Sequence, residues 1–370
     1  WVFSGAILSD TESFTDGELV SLSSTNGNFL AIGHFQHGTI AVRILSHQKE
    51  KIDKDFYFKK FENALKLREQ LGLFSENNTI CRLIHGEGDG LPGLIIDHYN
   101  GVLIIQCHSA GMYLALETMA LALRDLFGER VIAIYTKNTE TLPSHINPVN
   151  RYLFGKCDVP HLAKENGINY AIDWINGQKT GFFIDQRESR TLLGKYSRDK
   201  LVLNTFCYSG GFSLSSLIQG AKEVHSLDSS QKAIDLTEEN IKLNSFEGKH
   251  SSIVDNAVNF LKDLESEYDI IVLDPPAFAK HRNKRHQAVQ GYKRLNANAI
   301  RQIKPGGIIF TFSCSQVVDK ELFNHTVIAA AIEANREVRI LEQLHQPADH
   351  PISAFHPEGE YLKGLVIQVY

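Results

Sequence analysis

The stretch LVLNTFCYSGGFSLSSLIQGAKEVHSLD (201–228) decides the fold. An apolar run, LVLNTF (201–206), meets the turn Tyr208-Ser209-Gly210-Gly211 and then a helix-compatible segment. A second apolar run, EVHSLD (223–228), ends on a carboxylate. Strand, glycine turn, helix and strand in so short a span form the repeating unit of a parallel α/β sheet. The unit recurs downstream in HSSIVD (250–255), DIIVLD (269–274) and GIIFTFS (307–313), with helical spacing in QKAIDLTEENIKLN (231–244). From about Asp185 onward a doubly wound, Rossmann-like sheet is therefore expected. VRILEQL (338–344) and GLVIQVY (364–370) are expected to close it as a hairpin.

Upstream the pattern differs. ELVSLSS (18–24), FLAIGHF (29–35) and IAVRIL (40–45) are β-like runs separated by TNGN (25–28) and QHGT (36–39). Asn-Gly and His-Gly between such runs are hairpin punctuation, so a small β-rich domain is expected. FYFKKFENALKLREQLGLF (56–74) reads as an amphipathic connector helix. The segment 79–109 then reads as strand, Gly-rich loop and two strands, followed by a helix over 111–127 and a strand over 131–137. YLFGKC (152–157) and INYAIDWINGQKTGFFID (168–185) are expected to pair as an extended hairpin.

With 370 residues, 43% hydrophobic and 22% charged, the composition excludes collagen, a long coiled coil and bulk disorder. The longest apolar runs, such as GVLII (101–105) and VIAAAI (327–332), are far shorter than the roughly 20 residues of a membrane helix, so no membrane partner is expected. A net charge of −5 argues against a generally basic coat protein but allows a local basic patch. The five cysteines are scattered and show no C-x-x-C, which predicts reduced thiols in the cytoplasm, neither a disulfide frame nor a zinc site. No metal is expected. The sequence begins at Trp1, so preceding residues are expected to be missing, and no secretory signal is visible.

Ligands of open α/β sheets bind beyond the carboxyl ends of the strands, so those ends carry the candidate site. After the first strand, glycine allows close backbone approach to a ligand. Asp228, at the end of the second, can accept both hydrogens of a ribose diol, which suggests an adenosine-type cofactor. The NAD fingerprint is absent, because Phe206 and Tyr208 stand where glycines would, and there is no P-loop lysine. Asp255-Asn256-Ala257 ends the third strand, where a polar group could bond an adenine amino group or simply cap a helix.

The fourth strand ends in Asp274-Pro275-Pro276-Ala277-Phe278. The prolines hold extended backbone and stop the strand. They present the Asp274 oxygens at the sheet edge, with Phe278 as a flat surface for a base. This arrangement points to methyl transfer onto a nucleobase or an amide. The fifth strand ends in Ser313-Cys314-Ser315, which makes Cys314 a candidate nucleophile, with a small core residue as the alternative. KHRNKRH (280–286) supplies Lys280, Arg282, Lys284 and Arg285 as candidate phosphate contacts, or a solvated loop.

Together these motifs resemble a known family: the class I S-adenosylmethionine-dependent 23S rRNA cytosine-5 methyltransferases of the ribosomal large subunit methyltransferase I type. The resemblance spans essentially the whole chain. It includes WVFSGAI (1–7), GEGDGLPGLIID (86–97), KTGFFIDQRESR (179–190), NTFCYSGGFS (204–213), DPPAF (274–278), GYK (291–293), TFSCS (311–315), ADHP (348–351) and PEGEYLKG (357–364). It implies a PUA-like domain with connector over 1–70, a middle α+β domain over 71–178 and a methyltransferase domain over 179–370. It implies S-adenosylmethionine as cofactor. The candidate contacts are Phe206, Tyr208, Ser209 and Gly210 in the turn, Asp228 and Ser229, Asp255, Asn256 and Ala257, and Asp274. It implies Cys314 as nucleophile with Asp274 as its catalytic companion, and Pro275, Pro276 and Phe278 on the base side. Ala277 stands where the family often has lysine, which makes Lys280 a candidate substitute. A related guanine-N7 branch lacks the cysteine after the fifth strand, so Cys314 favours the cytosine-5 branch. Ribosomal RNA is the implied partner, with a homodimer as the assembly to test. The competing readings are an exocyclic-amine or guanine RNA methyltransferase without covalent catalysis, and a non-catalytic RNA-binding protein.

Overall fold

The computed structural model describes residues 1–370 apart from Ser266 and Lys280. The chain forms two compact units. The first comprises residues 1–167, 172–184 and 348–359; the second comprises 168–171, 185–347 and 360–370.

The second unit is built on seven strands: β1 (Leu201–Thr205), β2 (Glu223–Asp228), β3 (Lys249–Val254), β4 (Ile270–Leu273), β5 (Ile308–Ser313), β6 (Val338–Leu344) and β7 (Lys363–Val369). Their order is β3-β2-β1-β4-β5-β7-β6. β1 pairs in parallel with both β2 and β4, while β7 runs antiparallel to β5 and β6. The two final strands do form the expected antiparallel pair, with β7 inserted beside β5. Helix α1 (Arg187–Tyr196) leads into β1, and α2 (Gly211–Ile218), α3 (Gln231–Lys242), α4 (Ala257–Phe260), α5 (Arg285–Gln302) and α6 (Lys320–Ala334) connect the strands.

Alternation along the strands makes the two cores. On β1, Val202 packs on one face with Phe212, Leu217, Val272 and Phe310. Its neighbour Leu203 packs on the other with Leu273, Tyr292, Leu295 and Phe323. Each strand is thus covered on both sides, which is why these runs read as nearly continuous apolar sequence. The strand order reverses between β1 and β4, which places a crevice at the carboxyl ends of those two strands.

The first unit holds an antiparallel sheet in the order Val2–Phe3, Ile40–Ser46, Phe29–Phe35, Leu19–Ser23. The connector helix runs Lys54–Gln70, slightly earlier than expected, because Asp53 caps it by accepting from the Asp55 and Phe56 amides. A five-stranded sheet follows in the order Ile80–His85, Leu94–Tyr99, Val102–Cys107, Ala133–Thr136, Arg151–Gly155. Arg151–Gly155 pairs with Ala133–Thr136, so the hairpin expected between 152–157 and 168–185 does not form. The strand finds its partner non-locally, which local pattern cannot show. This unit is clamped by buried charge. Arg68 meets Asp89 at 2.6 Å, Arg82 meets Asp97 at 2.8 Å, and Arg68 and the Arg82 amide both donate to Asp349. No described helix is long and apolar enough to cross a membrane.

Candidate active site

The turn after β1 is wound tightly. Phe206, Tyr208 and Gly210 all have positive φ, at 56°, 48° and 74°. Two of them are not glycine, so the turn holds strain that its neighbours must maintain. Those neighbours lie on α3. Thr237 Oγ1 donates to the Tyr208 carbonyl at 3.1 Å, and Asn240 Nδ2 donates to the Ser209 carbonyl at 2.9 Å. A side chain at Gly210 would meet Thr237 Cγ2 at 2.8 Å, so glycine is required there by space as well as by φ.

Asp228 locks this turn to the end of β2. Its Oδ2 accepts from the Tyr208 amide at 3.2 Å and its Oδ1 from the Ser230 amide at 3.0 Å. The carboxylate is half-buried and keeps further lone pairs for a ligand diol. Ser229 beside it is exposed. At the end of β3 the Asp255 amide donates to the Asp228 carbonyl, which draws the third strand end towards the second. Asn256 caps α4 by accepting from the Asn259 amide, while Ala257 is buried.

Asp274 stands at the end of β4, half-buried, and its Oδ1 accepts from Gln186 Nε2 at 3.1 Å. Gln186 is itself buried, and its Oε1 has no hydrogen-bond partner. Pro275 is buried and Pro276 exposed. Phe278 packs on Tyr292 of α5, ring centres 4.6 Å apart, over Gly291, where a Cβ would meet Phe278 Cδ2 at 2.9 Å.

Cys314 is half-buried just past β5. The next residue ties the β5 exit to the β4 exit, because Ser315 Oγ donates to the Ala279 carbonyl at 2.7 Å. Tyr292 of α5 is buried nearby. Burial pushes its phenol up to about 12, and the charges of Cys314 and Asp274 push the same way. The phenol therefore stays protonated at neutral pH and is no base there. By contrast, burial pushes the Cys207 thiol up to about 12 and that of Cys107 higher still, which suits inert core thiols. Arg282, Lys284 and Arg285 are exposed, with Arg285 3.2 Å from Asp319, whereas Lys280 lies outside the described residues.

Gln186, Tyr292 and Lys363 were missed as site residues by sequence reasoning. Each lies inside a quoted motif, yet nothing in spacing links positions 186, 292 and 363 to the ends of β4 and β5.

The fold and site define a class. Residues 81–364 match the family described as S-adenosylmethionine-dependent methyltransferase, and residues 1–47 match the PUA-like domain. At 36% identity, the whole chain aligns with 94% of Ribosomal RNA large subunit methyltransferase I of Alteromonas mediterranea. At 37% identity it aligns with 95% of the protein of that name from Vibrio cholerae. A Streptococcus mutans protein assigned as an S-adenosylmethionine-dependent methyltransferase superposes with TM-score 0.82 at 22% identity, covering 96% of this chain and 92% of its own. The chain belongs to the S-adenosylmethionine-dependent methyltransferases and, within them, to the ribosomal RNA large subunit methyltransferase I family. The residues present fit the cofactor: the turn is wound at positive φ around Gly210, the Asp228 carboxylate stands half-buried at the end of β2, and Gln186 Oε1 is a buried acceptor without a hydrogen-bond partner.

Proposed function

We propose that this chain methylates C5 of a cytosine in ribosomal RNA, in the 23S molecule of the large subunit, through a covalent Cys314 adduct. The observation that carries this reading is that Asp274 and Cys314 follow the paired strands β4 and β5, whose exits are tied where Ser315 Oγ donates to the Ala279 carbonyl. A thiol and a carboxylate at neighbouring strand ends of a methyltransferase sheet suit covalent activation of a pyrimidine. The name of the full-length relatives supports ribosomal RNA as substrate.

Cytosine C5 is too weak a nucleophile to take a methyl group unaided. The Cys314 thiolate adds to C6, and the electron density gained at C5 makes that carbon nucleophilic. Bound S-adenosylmethionine supplies an electrophilic methyl group. Asp274, held by Gln186, bonds the base edge near N3 and N4 and stabilises charge developing there. Loss of the C5 proton then lets the C6–sulfur bond break and frees Cys314. A paired cytosine cannot reach such a pocket, so the target base is unpaired or flipped out. The exposed Arg282, Lys284 and Arg285 are placed for phosphates, with Lys280 a further candidate by sequence, and the PUA-like region is a second RNA grip.

The test uses RNA carrying 5-fluorocytidine, because fluorine cannot leave as the proton does. Wild-type protein should form a stable adduct on denaturing gels. Cys314→Ala should form none, keep S-adenosylmethionine binding and lose nearly all turnover. A substantially active Cys314→Ala protein would overturn the covalent mechanism and favour a guanine or exocyclic-amine target.

A further inference from the structure

Lys363 is buried at the start of β7, a position that favours no ordinary lysine. In the antiparallel register it lies opposite Ser313, the last residue of β5. Its side chain runs along the strand exit, and Nζ donates to the Ser315 carbonyl at 2.8 Å and to the Tyr361 carbonyl at 2.6 Å. The ammonium is thus pinned to the backbone one residue beyond Cys314. Both of its bonded partners are neutral carbonyls, and among the described residues no carboxylate forms an ion pair with it. An ammonium taken from water without a counter-ion is costly, which calls for an anion nearby.

We infer that Lys363 is the positioning cation for Cys314, holding the thiol in its reactive, deprotonated form. This rests on the reading of Cys314 as nucleophile. The Cys314 proton leaves for solvent, the sulfur keeps the electron pair, and Lys363 retains its three protons and meets the new charge. Burial draws the lysine down to about 8, and Cys314, Glu360 and Asp319 act in the opposite direction. At neutral pH it is still mostly charged, and a Cys314 thiolate would strengthen that charge. Asp319 is shared with Arg285 and Glu360 is exposed, whereas Cys314 is half-buried next to the residue whose carbonyl holds Nζ. Cys314 is therefore the anion best placed to answer the lysine.

Iodoacetamide alkylation tests this without RNA. The full chain would carry Cys157→Ser, which removes the other partly exposed thiol, and Cys314 would be followed by peptide mass spectrometry across pH. Lys363→Gln keeps a side-chain donor but carries no charge. It should move the alkylation midpoint up by about one unit or more, slowing reaction at pH 7 about tenfold. Lys363→Arg should stay near wild type, and the rates should converge at high pH. An unmoved midpoint in Lys363→Gln would overturn the inference and leave the lysine a backbone staple. The reciprocal measurement needs no lysine variant. Competitive acetylation of Lys363 should show its amine titrating at lower pH in Cys314→Ala than in wild type, and identical titration would count equally against the pair. A shifted midpoint together with an active Cys314→Ala protein would instead sink the cytosine-5 reading while leaving the ion pair in place.

Discussion

At the scale of single residues, Asp228 and Gln186 have the most exposed roles. Asp228 both braces the β1 turn and offers acceptors to a diol. Asp228→Ala should weaken S-adenosylmethionine binding about ten- to a hundredfold, or about 1.5–3 kcal/mol for lost charge-assisted bonds. Calorimetry checks this, and an unchanged affinity would remove the residue from the cofactor site. Gln186 acts through Asp274. Gln186→Leu removes one donor from that carboxylate, and kcat/KM should fall roughly tenfold on the same energetic scale. Steady-state kinetics on RNA that show no change would make the contact incidental.

At the scale of elements, the turn between β1 and α2 is tightly constrained. Its shape depends on α3 through Thr237 and Asn240 as much as on its own residues. Gly210→Ala combines a left-handed φ with a 2.8 Å approach to Thr237. The conformational part alone costs about 1–2 kcal/mol. The variant should unfold at lower urea concentration and bind S-adenosylmethionine more weakly, because the turn must shift to admit the methyl. Normal midpoint and normal affinity together would show that the turn is softer than its geometry implies. The expected connector helix shows the same dependence on caps: its start follows Asp53, while apolar periodicity alone placed it later.

At the scale of the whole molecule, charge matters most. A chain of net −5 that displays Arg282, Lys284 and Arg285 on one exposed stretch concentrates its basic character locally. Neutralising these three with Lys280 should flatten the salt dependence of RNA binding, since each phosphate contact contributes a slope of about −0.7 to −0.9 in log K against log salt. A quadruple variant that keeps the wild-type slope would make the stretch a solvated loop. The first unit carries a different liability. Burial draws His34 down to about 4 and His98 to about 3, with Arg43 and Arg130 adding to the effect. Their folded pKa values lie below the unfolded one, so unfolded chain binds more protons between those values. The stability they protect is complete above about pH 6.5 and drains away as pH falls towards 4. Hydrogen exchange in residues 29–35 and 94–99 should accelerate over that window, and exchange independent of pH after correction for intrinsic rates would contradict it.

The sequence by itself determined the strands of the second unit to within a residue or two, the strand ends that carry Asp228, Asp274 and Cys314, and the family. These are local properties: alternation along a strand, a proline stop and a glycine turn act within a few residues of one another. Only the tertiary structure decided which of them meet. The order β3-β2-β1-β4-β5-β7-β6 brings β7 beside β5 and so delivers Lys363 to the residue after Cys314. The packing of α5 sets Tyr292 where the charges of Cys314 and Asp274 both reach. Residues 348–359, which follow β6 in sequence, leave the methyltransferase sheet and supply Asp349 to the buried arginines of the first unit. Arg151–Gly155 likewise passed over the expected local partner. Strand pairing and buried charge are satisfied across the fold, by whichever group arrives with the right geometry, and sequence separation carries no record of that choice.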